Sequence, residues 1–300
     1  MTKIIPFDQG EANLDWIGLT DALAAGHERP KAEIGDLFIY RGEDTLLNRS
    51  AWIDGLGVAV KAATVFPGNP DRGLGRVNGA VNLFEDETGL LEAVVDFHLV
   101  TKWKTAGDSL LAARRLARPD SRKILIVGAG TVGASLHAAY SAAFPDAEFT
   151  VWNRTTERAR SFAEDLGIAW AEDLEEAVGA ADIVTSATMS TEPLIRGDWL
   201  TPGTHVDLIG AYRPDMREAD DAALKRARIF VDSYDTTLGH IGEIKIPLDQ
   251  GVIAKSDIVA DYYDPAAFTR APEDITLFKN GGGAHLDLMT ARYILDRFEG

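Results

Sequence analysis

The stretch that most constrains the fold is a glycine-rich turn at residues 128–133. An apolar run, Ile124 to Val127, leads directly into it, and a helix-compatible segment, Ala134 to Phe144, follows. In a strand–turn–helix unit, Gly-x-Gly-x-x-Gly spacing permits a tight turn, close approach to a pyrophosphate and tight packing of helix on strand. The helix N-terminus then offers free N–H groups to phosphates. We therefore predict a dinucleotide site at Gly128, Ala129, Gly130, Thr131, Val132 and Gly133.

The end of the next predicted strand indicates which nicotinamide cofactor binds. The strand Glu148–Trp152 runs into Asn153, Arg154 and Thr155, and Arg158 follows one helical turn later. A site for NAD usually carries Asp or Glu here, because a carboxylate accepts hydrogen bonds from the ribose 2′-OH. A guanidinium instead pairs with a 2′-phosphate, which a carboxylate would repel. These four residues predict NADP(H); the alternative is a solvated helix start with Thr155 as its N-cap.

Strand and helix patterns alternate from residue 119 onward. Such alternation predicts a doubly wound parallel sheet of the Rossmann type, whose ligands bind at the carboxyl ends of the strands. At those ends we assign Thr188, Met189 and Gly210 to the cofactor, with an ordinary loop as the alternative for residues 185–190. Asp207 lies inside a predicted strand, and the sequence is equally consistent with a role in the ligand site and with a role as a structural hydrogen-bond acceptor. The strands are predicted at Lys123–Gly128, Glu148–Trp152, Ile183–Ala187, Thr204–Ile209 and Ile229–Asp232.

Residues 1–118 carry a different pattern, in which short strands follow one another between turn signals. This favours an α+β domain with an antiparallel or mixed sheet. Helices are predicted within Phe7 to Ala25 and over 100–118, and Pro119 provides a junction. A final helix, Gly283–Phe298, comes after the parallel pattern is complete. We therefore predict a discontinuous first domain, 1–118 plus 283–300, and a Rossmann domain at 119–282. The strands are predicted at Asp36–Tyr40, Leu46–Ile53, Val58–Val65, Gly79–Phe84 and Leu91–Phe97.

Composition excludes several classes of function. The net charge of −17 argues against nucleic acid and anionic membranes as partners. The absence of cysteine excludes disulfides, thiolate nucleophiles and Cys-based zinc sites, and the six histidines show no metal-ligand spacing. The sequence has neither a signal-peptide pattern nor an apolar run of membrane-spanning length, so a cytoplasmic location is expected.

Lysines in the first domain point to an anionic ligand. Lys61 interrupts the apolar strand Val58–Ala63, which indicates either contact with an anion or a solvated face. Lys102 and Lys104 lie near a helix start predicted at Thr101, where two cations oppose the helix dipole unless an anion offsets them. Arg41 and Arg49 are further candidate cations, although on sequence alone each fits the surface better.

Taken together, these segments resemble the ornithine cyclodeaminase/mu-crystallin family from about residue 40 to the end. The matching segments are Val60-Lys61 with Pro67-Gly68-Asn69, the hairpin Leu83 to Gly89, Thr101 to Ala106, the glycine turn, Gly210 to Glu218, Gly239 to Gly242, and Thr276 to Asp287. The resemblance implies a substrate domain that pairs into a homodimer and hydride transfer at the α-carbon of an amino or imino acid. It also implies that Lys61 and Lys104, with an upstream arginine assigned to Arg41, bind the substrate carboxylate.

Two departures from the family pattern favour one branch of it. Lys104 stands where an arginine is usual in the family. The bidentate hydrogen bonding of a guanidinium to a carboxylate is therefore replaced by the compact charge of an ammonium group. Tyr212 stands where cyclodeaminases carry an aspartate. The resemblance then implies NADPH-dependent reduction of a small cyclic imino acid, such as Δ1-pyrroline-2-carboxylate, with Tyr212, Lys61 or water as proton donor. The alternatives are an amino-acid dehydrogenase, an ornithine cyclodeaminase and a non-catalytic NADPH-binding protein.

Overall fold

A computed structural model describes residues 1–299 and divides the chain into two compact units. The first unit comprises Met1–Lys104 and the segment from Gly283 onward, and the second comprises Thr105–Gly282. The helices, in chain order, are α1 (Phe7–Glu11), α2 (Trp16–His27), α3 (Phe97–Leu116), α4 (Thr131–Ala143), α5 (Thr156–Leu166), α6 (Leu174–Ala180), α7 (Asp221–Arg226), α8 (Tyr234–Thr237), α9 (Gly242–Asp249) and α10 (Ala284–Glu299), with short 3₁₀ turns at Pro70–Arg72, Gly197–Trp199 and Lys255–Asp257.

A six-stranded sheet forms the first unit, in the order β1-β6-β5-β4-β3-β2. β1 pairs parallel with β6 and the remaining pairs are antiparallel, as the run of short strands predicted. α10 packs on β3 and β4. β1, only three residues long, was not predicted. The strand bounds are β1 (Lys3–Ile5), β2 (Glu33–Arg41), β3 (Asp44–Ile53), β4 (Gly57–Val65), β5 (Val77–Phe84) and β6 (Leu91–Asp96).

The helix predicted within Phe7 to Ala25 is in fact two helices, α1 and α2. They separate because the Asp15 side chain accepts a hydrogen bond from the Gly18 N–H at 2.5 Å and so caps α2. An N-cap carboxylate satisfies N–H groups that a continuous helix would bond internally. The sequence pattern had merged the apolar positions on both sides of this cap.

An eight-stranded parallel sheet forms the second unit, in the order β13-β12-β14-β11-β10-β7-β8-β9. Every strand pair in it is parallel, which confirms the predicted doubly wound α/β class. β9, β13 and β14 were not predicted. The strand bounds are β7 (Lys123–Val127), β8 (Glu148–Trp152), β9 (Ala169–Trp170), β10 (Ile183–Ser186), β11 (His205–Leu208), β12 (Arg228–Val231), β13 (Ile258–Ala260) and β14 (Thr276–Lys279).

The boundary between the units falls inside α3, between Lys104 and Thr105, and not after residue 118 as predicted. The second half of α3 makes its hydrogen bonds within the second unit: Tyr262 Oη donates to the Asp108 carbonyl at 2.7 Å, and Asn280 Nδ2 to the Thr105 carbonyl at 2.9 Å. Pro119 ends the helix without marking the boundary. The substrate-binding and dimerisation roles of the first unit stay predictions. None of the helices within residues 1–299 has both the length and the apolar character that a bilayer crossing requires.

Candidate functional site

The glycine turn has the geometry that its spacing predicted. Gly128 has φ +114°, a conformation that side chains disfavour. A Cβ on Gly133 would lie 2.4 Å from the Gly128 carbonyl oxygen, so only glycine lets α4 pack this close to the end of β7. α4 begins at Thr131, three residues earlier than expected, with Gly130 as its N-cap. The first N–H groups of the helix therefore lie at the turn, where an anion can accept their hydrogen bonds.

A cleft of about 360 Å³ opens beside this turn, within the second unit. It brings together eight residues predicted to bind the cofactor: Gly128, Ala129, Gly130, Asn153, Arg154, Arg158, Thr188 and Met189. Thr131, Val132 and Gly133 form the first turn of α4 and do not line the cleft. Thr155 holds the N-cap position of α5, as the alternative interpretation of this segment predicted, but its side chain makes no capping bond.

The charged rim of the cleft comes from the start of α5. Arg154 and Arg158 are exposed, and within residues 1–299 neither has an ion-pair partner. Asn153, in contrast to the two arginines, forms hydrogen bonds within the chain. Its Oδ1 accepts from the Ala129 N–H at 3.3 Å and its Nδ2 donates to the Thr155 carbonyl at 3.1 Å, so it ties the end of β8 to the glycine turn. Two guanidinium groups are thus left facing solvent beside a phosphate-type turn.

Gly210 does not line the cleft, so its role in cofactor binding stays a prediction. Its N–H donates to Glu218 Oε2 at 2.6 Å and is therefore not available to a ligand. Tyr212 lies on the same loop after β11, at the carboxyl edge of the sheet, with 56% of its surface exposed. Asp207 is a buried acceptor for Tyr140 Oη and Thr185 Oγ1, which fits the structural interpretation. Burial raises the pKa of Asp207 to about 6.

A second cluster lies in the first unit and centres on a carboxylate that sequence reasoning did not single out. Lys61 Nζ lies 2.8 Å and Lys104 Nζ 3.0 Å from Oδ1 of Asp287, and all three side chains are buried. Lys61 extends from β4, Lys104 from α3 and Asp287 from α10. Lys61 therefore does not lie on a solvated face; it contacts an anion of the chain itself, and its contact with a substrate anion stays a prediction. The signal that was available is that Asp287 sits on the apolar face of an amphipathic helix, where a carboxylate needs a partner.

The helix-dipole argument for Lys102 and Lys104 is wrong, because α3 begins at Phe97 and not at Thr101. Both lysines lie beyond the first turn of α3, where the dipole has little effect. Lys102 instead pairs with Glu11 at 2.6 Å.

Burial and like charges make Lys104 unusually acidic. Burial, together with the like charges of Lys61 and Arg49, lowers its pKa to about 7, although Asp287 offsets part of the shift. Burial by itself would raise the pKa of Asp287, but Lys104 and Lys61 hold it below its ordinary value. Arg49 on β3 lies opposite Lys61 on β4 in the strand register. Its guanidinium forms a salt bridge with Asp36 at 3.0 Å. Two lysines thus share one carboxylate, which leaves an excess of positive charge that an anionic ligand would neutralise.

The structure does not bring Arg41 to this cluster, so its predicted place in the substrate-binding set is not supported. Its side chain is 80% exposed and pairs with Asp44 at 2.8 Å. Asp44 precedes Arg49 by five residues on β3, which is roughly 16 Å at the rise of a strand. Arg49 is the arginine beside Lys61.

Comparison with known proteins gives a consistent result. Residues 53–300 match the ornithine cyclodeaminase/mu-crystallin family. The chain is 51% identical over 302 aligned positions to a Δ1-pyrroline-2-carboxylate reductase from Paracoccus denitrificans, with 97% of this chain and 96% of that protein covered.

Solved structures share the whole fold, and two of them are enzymes with a bound nicotinamide cofactor. A Δ1-pyrroline-2-carboxylate reductase from Thermococcus litoralis, in complex with NADH and L-proline, superimposes with a TM-score of 0.89 at 26% identity over 99% of this chain and 97% of that one. An archaeal alanine dehydrogenase dimer with bound NAD superimposes with a TM-score of 0.87 at 28% identity, over 99% of this chain and 95% of that one.

Proposed function

Because the chain belongs to the ornithine cyclodeaminase/mu-crystallin family, we propose that it is an oxidoreductase that reduces the C=N bond of a small cyclic imino acid. The proposed substrate is Δ1-pyrroline-2-carboxylate or a close analogue, and the product is the corresponding L-amino acid, such as proline. The observation that carries this proposal is the 51% identity to the Paracoccus reductase over nearly the whole chain. Tyr212, in place of the aspartate implied for cyclodeaminases, supports reduction over cyclodeamination.

The proposed cofactor is NADPH, which supplies the hydride when bound. The glycine turn, the N-terminus of α4 and the cleft are suited to its pyrophosphate and ribose. The choice of NADPH over NADH rests on Arg154 and Arg158, because exposed guanidinium groups without ion-pair partners among residues 1–299 are suited to a 2′-phosphate. The solved relatives hold NADH or NAD, so the phosphate preference is a proposal for this chain.

In the proposed reaction, Lys61 and Lys104 bind the substrate carboxylate and so fix the carbon that receives hydride. Fixing a reacting carbon in this way supplies much of the rate of a two-reactant step. The imine nitrogen also needs a proton, because an iminium ion accepts hydride far more readily than a neutral imine does. Tyr212 Oη, the Lys61 ammonium and a bound water are the candidate donors, and we propose Tyr212 for the first test.

We also propose that the protein is a homodimer that pairs through β2. This strand is the edge of its sheet and all nine of its residues are exposed. Four consecutive large side chains on it are 49–69% exposed: Leu37, Phe38, Ile39 and Tyr40. An apolar edge strand of this length invites pairing with another chain. The archaeal alanine dehydrogenase of the same fold is described as a dimer.

The direct test follows NADPH oxidation with Δ1-pyrroline-2-carboxylate, with pyruvate plus ammonia, and with a blank. We expect turnover with the cyclic imino acid and no requirement for ammonia. Turnover that depends on ammonia and pyruvate would instead identify an open-chain amino-acid dehydrogenase. Tight NADPH binding with no turnover on any imino or keto acid would identify a binding protein. Ammonia release from ornithine in the presence of NAD⁺ would identify a cyclodeaminase.

A further inference from the structure

Glu218 is a fully buried carboxylate on which two loops of the second unit converge. Its Oε1 accepts from Ser186 Oγ at 2.6 Å, from the Thr188 N–H at 2.7 Å and from Thr188 Oγ1 at 2.8 Å. Its Oε2 accepts from the Gly210 N–H at 2.6 Å and from the Ala211 N–H at 3.2 Å. Each oxygen therefore serves a different loop, the one after β10 or the one after β11.

The two loops also touch directly. A Cβ on Gly210 would lie 1.7 Å from the Thr188 carbonyl oxygen, so only glycine allows the backbones to approach this closely. The first loop lines the cofactor cleft through Thr188 and Met189, and the second continues from Ala211 into Tyr212. Glu218 thus connects the wall of the cleft with the residue that we propose as proton donor.

A second carboxylate holds Glu218 in place. Glu243 accepts from the Glu218 N–H at 2.6 Å and from the Ala219 N–H at 3.1 Å. Burial, together with the charge of Glu218, raises the pKa of Glu243 to about 7. The buried ammonium of Lys279, which donates to the Leu208 carbonyl at 2.9 Å, adds a positive charge to the same network. A side chain this heavily bonded adopts one position, and the loops bonded to it follow.

We propose that Glu218 is a positioning residue for the reduction: its two carboxylate oxygens hold the cofactor loop and the Tyr212 loop in one fixed arrangement. The inference rests on the proposed reductase function. A carboxylate is needed because it accepts hydrogen bonds at both oxygens, whereas a glutamine side chain accepts at one and presents an N–H group at the other. In Glu218→Gln one loop therefore loses its acceptor. Charge-assisted bonds are also the stronger kind.

The test compares Glu218→Gln with the unmodified protein. We expect kcat to fall about 10- to 100-fold, since small misplacements of reacting groups have effects of that size. The Kd of NADPH, measured by quenching of protein fluorescence, is expected to change less than about threefold, because Arg154, Arg158 and the glycine turn are untouched. Glu218→Asp keeps a carboxylate and is expected to recover part of kcat.

Asp220→Ala is the matched control. The Asp220 carboxylate accepts from the Gly197 and Ala223 N–H groups at 2.9 and 2.8 Å, and not from Thr188, Gly210 or Ala211, whose N–H groups Glu218 accepts. It is expected to lower Tm while preserving kcat. Equal losses of kcat in Glu218→Gln and Asp220→Ala, or a parallel loss of NADPH affinity in Glu218→Gln, would overturn the inference in favour of a general structural role. If Glu218→Gln does not fold, Thr188→Val removes one hydrogen-bond donor from the same carboxylate. An unchanged kcat in Thr188→Val would likewise overturn the inference.

A readout that does not depend on turnover separates this inference from the proposed function. Amide hydrogen exchange in the loop that loses its acceptor, at residue 188 or at residues 210 and 211, is expected to accelerate about tenfold in Glu218→Gln, the effect of losing one hydrogen bond. Unchanged exchange at all three residues overturns the positioning role even if the enzyme is active. An unmodified protein that turns over no imino acid overturns the proposed function alone.

Discussion

Lys61 and Lys104 share a single oxygen, Oδ1 of Asp287, at 2.8 and 3.0 Å. The other oxygen of Asp287 is buried and has no hydrogen-bond partner among residues 1–299. One carboxylate therefore holds two ammonium groups close together inside the first unit. Because all three groups are buried, water does little to screen the repulsion between the two positive charges. The cluster is short of negative charge, and the carboxylate of an imino acid supplies the kind of charge that it lacks.

Binding of the imino acid is expected to depend on pH. Burial lowers the pKa of Lys104 to about 7, so Lys104 is charged below that pH and neutral above it. The KM for the imino acid is therefore expected to rise as pH increases from 7 to 9, by up to about tenfold per unit if one proton controls binding. Lys104→Arg keeps its charge throughout this range and is expected to flatten the profile. A KM that is flat in the unmodified protein would contradict the assignment.

Removing the shared carboxylate is expected to destabilise the first unit. Asp287→Asn leaves two buried ammonium groups without a counter-charge, and breaking a buried pair in this way lowers the free energy of unfolding by about 3–5 kcal/mol. Urea denaturation measures the change. Asp296→Asn removes an exposed carboxylate from the same helix and is expected to change stability by less than about 0.5 kcal/mol. Similar effects from both substitutions would rule out a special role for Asp287.

Cofactor choice is expected to depend on Arg154. Arg154→Asp places a carboxylate beside the site proposed for the 2′-phosphate, so the ratio of kcat/KM for NADPH over NADH is expected to fall at least about tenfold. Arg160→Asp makes the same change of charge within α5, where the Arg160 guanidinium lies 4.4 Å from the centroid of the Trp170 ring and does not line the cleft. The control is expected to retain the preference. An unchanged ratio in Arg154→Asp would remove the basis for NADPH.

Tyr212→Phe tests the proton donor. Loss of a general acid lowers the rate by about 10²-fold or more, so kcat is expected to fall by that amount while NADPH still binds. Tyr234→Phe is a control at a tyrosine whose hydroxyl donates to the Ile258 carbonyl at 3.1 Å. Full activity in Tyr212→Phe would assign the proton to Lys61 or to water, and Lys61→Met would then be the next variant to measure.

The oligomeric state is expected to depend on β2. Phe38→Asp puts a charge in the exposed apolar stretch of this edge strand, and sedimentation equilibrium is expected to give the mass of a monomer for the variant and of a dimer for the unmodified protein. Leu90→Lys changes another exposed apolar residue, in the turn before β6, and is expected to remain dimeric. A dimeric Phe38→Asp protein would require a different interface.

The sequence predicted the parallel sheet and the cofactor turn because both depend on local patterns. The apolar strands run into fixed glycine spacing, and β8 has the bounds that were expected. β14 was missed for a physical reason. It is buried along its whole length, carries Thr276 and Lys279, and so lacks the alternation or apolar run that marks a strand.

The cluster around Asp287 was only half predicted, because its charges are balanced by residues distant in sequence. Lys61 was identified as anomalous within its strand, but its partner Asp287 lies 226 positions away. Arg41 was assigned to the substrate-binding set in place of Arg49, because sequence spacing alone does not say which arginine lies opposite Lys61 on the neighbouring strand. Glu218 was missed in the same way, since its role is defined by the donors around it and not by its neighbours in the chain.

α10 has a consequence for how the chain matures. The second unit, Thr105–Gly282, is continuous in sequence, whereas the first receives Asp287 only from the segment that follows it. During synthesis, Lys61 and Lys104 emerge long before the carboxylate that neutralises them, at about 5–20 residues per second. The second unit is thus able to fold while the first still lacks this counter-charge. The order of translation completes the cluster of Lys61, Lys104 and Asp287 only after the whole second unit has been synthesised.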